Sequence, residues 1–202
     1  MRRLCWDYRE DPSAQAARFA AEGSDQGFLI VEFDSGGDGS DLGWKMVEPW
    51  TRSRAVTVAM VGGEIASPAL DIALCSDLVY LSPAALLRLA SGSRSPSPGV
   101  IWALGRAGRK ALARGLLSTA DIEAKEAVEI GIAHQVVRDP AELPLSLGCS
   151  ITAITTARDL MRSALPGNAG LALELAAFRL LFAAGDPEEG ARAFLDKREP
   201  SF

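Results

Sequence analysis

The residues best suited to chemistry stand together in Gly62-Gly63-Glu64-Ile65-Ala66-Ser67-Pro68-Ala69-Leu70-Asp71. Ser67 is a natural helix N-cap and Pro68 a natural first helical residue. A helix starting here aims its free N–H groups and its positive end at whatever lies above the turn. Such a turn suits stabilisation of a developing oxyanion. Asp71 follows one turn inside, among Leu70, Ile72, Ala73 and Leu74, and this apolar company implies burial. A buried carboxylate is either paired or holds its proton more tightly than usual, and the second state suits general acid/base work. A plain helix-start charge, favoured by the helix dipole, is the other reading.

A second glycine-rich loop spans Asp34-Ser35-Gly36-Gly37-Asp38-Gly39-Ser40-Asp41 after an apolar run. Its N–H groups could face an anion, but the phosphate-loop and dinucleotide spacings are missing and three aspartates would repel phosphate. Their spacing also misses the calcium-loop pattern, so a solvated turn stands beside the binding reading and no metal site is expected. His134 is the only histidine and lies in an apolar stretch with no nucleophile near it, which points to a structural or rim role. Cys5, Cys75 and Cys149 are odd in number and far apart, so neither a disulfide framework nor a zinc site is implied, and buried free thiols are expected.

The elements that must position these residues follow from pattern. At 202 residues, 48% hydrophobic and 23% charged, the chain fits one globular domain with a sizeable core. The net charge of −5 argues against a nucleic-acid binder with a broadly basic surface. No apolar run approaches the roughly 18 residues of a membrane span. The charged N-terminus does not read as a secretory signal, so a cytoplasmic protein is expected.

Asp11-Pro12 opens a helix that closes at Gly23. Phe28–Phe33 and Ala55–Val61 read as buried strands, each followed by a glycine turn, the second leading to a helix over Pro68–Cys75. Leu78–Leu81 and Leu86–Ala90 read as short strands, and Ser91–Gly99 as a loop. Beyond it the pattern predicts helices over Val100–Leu104, Arg106–Leu117 and Ile122–Ile130, and a strand over Ile132–Val137. Further helices are expected within Leu145–Leu165, Ala169–Ala184 and Pro187–Lys197. The expected organisation is an α/β core over 1–140 with a helical C-terminal region of the same domain over 141–202.

The run Val58–Leu78 resembles the central signature of the crotonase family, the enoyl-CoA hydratases and isomerases, in its strand, glycine-rich turn and helix carrying an acid. Ala124-Lys125-Glu126-Ala127 through Gly131-Ile132-Ala133, His134–Val137, and the closing Glu189-Gly190 through Lys197-Arg198-Glu199-Pro200-Ser201-Phe202 are similar to later motifs in the family's order. The chain thus looks like a short and divergent member. The resemblance implies a crotonase-type stack of strand–strand–helix turns, with a helical C-terminal region, that binds an acyl-CoA thioester. Coenzyme A would enter as part of the substrate, with no permanently bound cofactor.

It further implies an oxyanion hole of two N–H groups, one from Asp38 or Gly39 and one at Pro68. Proline has no N–H, so the hole lacks a donor unless Ser67 or Ala69 substitutes. Asp71 takes the place of one family glutamate, and Ser91 stands where the second would be. With one carboxylate retained, isomerisation, dehydration or another thioester-enolate reaction is expected rather than two-glutamate hydration; a catalytically inactive acyl-CoA or partner binder is the alternative. Ala66, Pro68, Ser91 and Trp44 are expected to line the substrate, with Lys197, or Arg52 and Arg54, meeting its phosphates. A homotrimer or a pair of trimers is also implied, and the apolar stripe Leu171, Leu175, Phe178, Leu181 and Phe182 fits a subunit contact or the chain's own core equally well.

Overall fold

The computed structural model describes residues 2–22, 27–37, 44–89, 97–118, 120–143, 158 and 186–198. The chain divides into two compact units, 1–155 and 156–202. The first is built on a five-stranded sheet. Three strands, β2 (Phe28–Phe33), β3 (Val56–Val61) and β5 (Leu78–Leu81), occupy its middle, and β1 (Arg2–Cys5) and β8 (Gln135–Val136) form the edges. Every pairing in the order β1-β2-β3-β5-β8 is parallel, with Ile30 opposite Val58 and Val58 opposite Leu78. A parallel sheet is covered on both faces, which is why its central strands read as nearly continuous apolar runs. A smaller sheet joins β4 (Glu64–Ile65) in parallel to β6 (Leu86–Leu87), which pairs antiparallel with β7 (Ile122–Glu123).

Side chains alternate across the main sheet with the period of two that a strand imposes. Leu29, Val31, Phe33, Ala59, Val61, Val79 and Leu81 enter the larger core, together with residues of α1 (Pro12–Glu22), α2 (Trp44–Thr51) and α3 (Ala69–Leu74). Ile30, Val58, Met60 and Tyr80 face the other way and meet Val137. Trp6 stacks on Phe33 with ring centroids 5.6 Å apart, and Phe19 meets Trp50 edge-on at 6.4 Å. Such pairs add about 0.5–1.5 kcal/mol each to their burial. Asp77 pins the entry of β3: its carboxylate accepts the Thr57 N–H (2.9 Å) and hydroxyl (3.0 Å), and its own N–H donates to Thr57 Oγ1 (2.9 Å).

The remaining described helices of this unit are α4 (Pro98–Ala107), α5 (Arg109–Leu117) and α6 (Ala124–Glu129), with a 3₁₀ turn at Pro140–Glu142. Several sequence expectations shift. Helix α4 begins at Pro98 rather than after the loop, and runs to Ala107 before Gly108, at φ 106°, turns the chain into α5. Ile122 and Glu123 open their segment as a strand, because they pair with Leu87 and Leu86. The sequence pattern did not single out β1 or α2; β1 is a four-residue edge strand held by register with β2. Cys75 is buried as expected, but Cys5 is exposed, because Leu4 on β1 and Trp6 just after it turn inward and Cys5 between them turns out; Cys149 lies outside the described residues.

In the second unit, α7 (Asp186–Asp196) matches the expected terminal helix. Lys197 ends it in the left-handed conformation at φ 52°, with the Arg198 N–H closing on the Ala193 carbonyl at 3.0 Å. The helices expected within 145–165 and 169–184, and the stripe from Leu171 to Phe182, lie outside the described residues, Arg158 excepted. Among the described residues no helix is long and apolar enough to cross a membrane, and no group of three or more His, Cys, Asp or Glu could hold a metal ion.

Candidate functional site

The loops that leave the carboxyl ends of β2 and β3 are laced together. The Gly36 N–H donates to the Glu64 carbonyl (2.8 Å) and the Ala66 N–H to the Gly36 carbonyl (2.9 Å), a parallel bridge between Gly36 and Ile65; the Gly62 N–H closes on the Phe33 carbonyl at 2.7 Å. This approach needs glycine on both sides. A Cβ on Gly63 would strike Ser35 Oγ and the Asp34 carbonyl, and one on Gly37, at φ 105°, would strike the Ala66 carbonyl. The two glycine-rich segments singled out in the sequence therefore form one junction at the end of the parallel sheet.

From that junction the chain passes through Ala66, Ser67 and Pro68 into α3, all of them buried, with the Ser67–Pro68 peptide cis. Contrary to the sequence expectation, Pro68 and not Ser67 occupies the N-cap position and α3 begins at Ala69, because the Ser67 hydroxyl turns to Ser97 instead of capping; Pro68 has no N–H to offer. The Leu70 N–H is spent on the Ala66 carbonyl (3.1 Å) and that of Ile72 on the Pro68 carbonyl (3.4 Å), so Ser67 and Ala69 carry the turn's candidate donors.

Asp71 is 3% exposed, as its apolar neighbours implied, and its carboxylate is hydrogen-bonded rather than isolated. Its Oδ1 accepts the Ser97 hydroxyl and the Val100 N–H, the latter at 3.2 Å. Ser67 Oγ–H in turn donates to Ser97 Oγ at 3.0 Å. Gly99 lies so close that an added Cβ would come 2.7 Å from Asp71 Cβ. The carboxylate thus sits against the first turn of α4, where the N–H of that helix's third residue, Val100, meets it.

Of the residues expected at the site, Ala66, Ser67, Pro68, Ala69 and Asp71 are together on this turn. Trp44 is the first residue of α2. Asp38, Gly39 and Ser91 lie outside the described residues, and Lys197 belongs to the second unit. Arg52 is bridged to Glu48 at 2.6 Å on the surface.

Three neighbours were not foreseen. Ser97 and Gly99 read as loop, although Ser97-Pro98 ahead of an apolar stretch is a cap-and-first-residue pair that marks a helix start. Tyr8 packs its ring on Gly36, where an added Cβ would come 2.6 Å from the ring. Burial, with Asp34 nearby, pushes its phenol up to about 12. Tyr8 is set in place by the buried Gln15, which accepts the Asp7 N–H (2.9 Å) and donates to the Asp7 carbonyl (2.5 Å). Nothing in the residue pattern alone announced it. His134 is structural: its Nδ1 accepts the Val79 N–H (3.0 Å) while its own N–H donates to the Val79 carbonyl (2.8 Å), extending the β5–β8 pairing.

No family model matches the chain. A protein of Amycolatopsis orientalis named enoyl-CoA-hydratase is 31% identical over 120 residues, which cover 58% of this chain and 55% of that relative. The match therefore spans little more than half of the curated relative's length. An enoyl-CoA hydratase/isomerase from Pseudoalteromonas atlantica T6c superposes with a TM-score of 0.72 at 19% identity, over 99% of this chain and 95% of that one. DspI of Pseudomonas aeruginosa superposes with a TM-score of 0.62 at 26% identity, over 98% and 88%. The fold is that of the crotonase structures.

Proposed function

Because this chain is a divergent relative of the enoyl-CoA hydratase/isomerase (crotonase) family, we propose that it binds an acyl-CoA thioester and moves one proton on the acyl group with Asp71. The observation that carries this reading is the position of Asp71: a buried carboxylate in the first turn of α3, five residues after Ala66, whose N–H joins the two glycine loops by bonding the Gly36 carbonyl. A thioester oxygen held at that junction, by the N–H of Ser67 or Ala69 and by that of Asp38 or Gly39, brings the α-carbon of the acyl group to the Asp71 side. Removal of the α-proton leaves an enolate whose charge falls on the held oxygen. Return of the proton at another carbon shifts a double bond. Adding water would ask for a second acid or base, and Ser91, at the second family position, cannot titrate near neutral pH.

Coenzyme A enters only as part of the substrate. The assembly is proposed as a homotrimer or a pair of trimers in the cytoplasm, and sedimentation equilibrium at micromolar concentration reads the first of these. A second reading, an acyl-CoA or partner binder without turnover, is favoured by Pro68, which withdraws a donor, and by the two donors already on Asp71 Oδ1. One experiment separates them. Calorimetry with butyryl-CoA, followed by incubation in D2O and mass spectrometry of the thioester, should give heat and deuterium at the α-carbon. Heat without deuterium selects the binder, and the absence of both overturns the thioester reading.

A further inference from the structure

Ser67, Ser97 and Asp71 make an unbroken hydrogen-bonded line through the interior: Ser67 Oγ–H to Ser97 Oγ at 3.0 Å, then Ser97 Oγ–H to Asp71 Oδ1. The three residues are 6%, 6% and 3% exposed. Burying hydroxyls costs free energy unless each is bonded, and alanines would fill the same space without that cost. Ser97 also departs from its local role. It is the N-cap of α4 with proline next to it, yet its hydroxyl makes no cap bond; Asp71 takes the Val100 N–H and the Ser97 hydroxyl goes to Asp71. Gly99 packs against Asp71 at one end of the line. At the other end, Ser67 follows Ala66, whose carbonyl abuts Gly37 at the junction of the two loops.

We propose that Ser97 is a positioning residue that passes a proton between Ser67 and Asp71, so that the Ser67 hydroxyl, rather than the carboxylate, meets the acyl α-carbon. This rests on the reading of the chain as an acyl-CoA enzyme. In the forward step the α C–H bond breaks and its electron pair enters the enolate. The α-proton goes to Ser67 Oγ as the Ser67 proton goes to Ser97 Oγ and the Ser97 proton to Asp71 Oδ1. The carboxylate becomes a carboxylic acid, no atom changes oxidation state overall, and reprotonation of the enolate runs the line backwards.

The test is deuterium exchange into butyryl-CoA across a range of pH for the full chain, Ser97→Ala, Ser67→Ala and Ser97→Thr, with the thioester Kd measured for each. The expected result is a loss of exchange of about 10²-fold or more in both alanine variants. Their Kd should stay near that of the unsubstituted protein, and Ser97→Thr, which keeps the hydroxyl, should recover exchange to within about tenfold. Circular dichroism checks that each variant folds, and Ser67→Ala serves if Ser97→Ala does not. Alanine variants that exchange at the full rate with an unchanged pH profile, even if less stable, overturn the relay while leaving the Asp71 reading intact. An unsubstituted protein that binds the thioester without exchange overturns both.

Discussion

Replacing Gly99 by alanine probes the contact on which the placement of Asp71 depends. Gly99 is the second residue of α4, and the new Cβ would lie 2.7 Å from Asp71 Cβ and 3.0 Å from Asp71 Cγ. The Asp71 side cannot swing away, since every residue of α3 is buried. Relief requires α3 and α4 to part, which stretches the Ser97 and Val100 bonds to Asp71 Oδ1. Overpacking costs about 1–3 kcal/mol, and a weakened bond to a charged group about 1.5–3 kcal/mol. Against these stands a gain of about 0.5–1 kcal/mol for removing glycine from a helix. The net loss is about 1.5–5.5 kcal/mol, a fall in Tm of about 3–22 °C for a chain of this size. Gly105, on the same helix, is the control: an added Cβ there meets nothing within 4 Å, so Gly105→Ala should gain about 0.5–1 kcal/mol. Thermal unfolding followed by circular dichroism reads both. Equal stabilisation by the two substitutions would mean that α3 and α4 are not in contact at Asp71, and the site as described would fail.

Asp77→Ala strips the acceptor from the fully buried Thr57 N–H and hydroxyl and should cost roughly 2–4 kcal/mol in urea unfolding; a loss below about 0.5 kcal/mol would refute the pin at β3. Tyr8, held protonated up to about 12 against an ordinary 10.0, lets the folded state bind more protons than the unfolded chain between these values. Its contribution to stability is therefore complete below pH 10 and is lost as pH rises through 12. Absorbance titration should show a late-titrating phenol that Tyr8→Phe removes; its persistence in the variant would assign it to Tyr80, which burial also raises. Lys197→Gly relieves the left-handed backbone at φ 52° and should stabilise the end of α7 by about 1 kcal/mol in hydrogen exchange; faster exchange there would contradict it.

What the sequence disclosed follows the strength of its local signals. The central strands β2, β3 and β5 were legible because a sheet buried on both faces demands continuous apolar runs, and α1 because Asp11-Pro12 and Gly23 mark its ends. In the turn from Ala66 to Asp71 the buried acid was legible from its apolar neighbours, but the cap was not: Pro68 rather than Ser67 holds the N-cap position, because the Ser67 hydroxyl goes to Ser97, a partner 30 positions away. By contrast β1 gains its definition from pairing with Leu29–Glu32 and not from its own residues. Ile122-Glu123 looks helical until Leu86-Leu87 pairs with it. Ser97 and Gly99 show the same limit at the site: their importance arises from Asp71, 26 and 28 positions earlier, and spacing along the chain does not register such a contact. Tyr8 reaches Gly36 only because β1 and β2 lie side by side.

The most direct test of the account is the rate of α-proton exchange on an acyl-CoA thioester by Asp71→Asn. The substitution keeps the shape of the side chain and an acceptor oxygen for Ser97 and Val100, and removes the group that titrates. If Asp71 holds the moving proton, exchange should fall by about 10²–10⁴-fold while the thioester Kd stays within about twofold. Exchange at an undiminished rate in Asp71→Asn would contradict the assignment of the proton to Asp71.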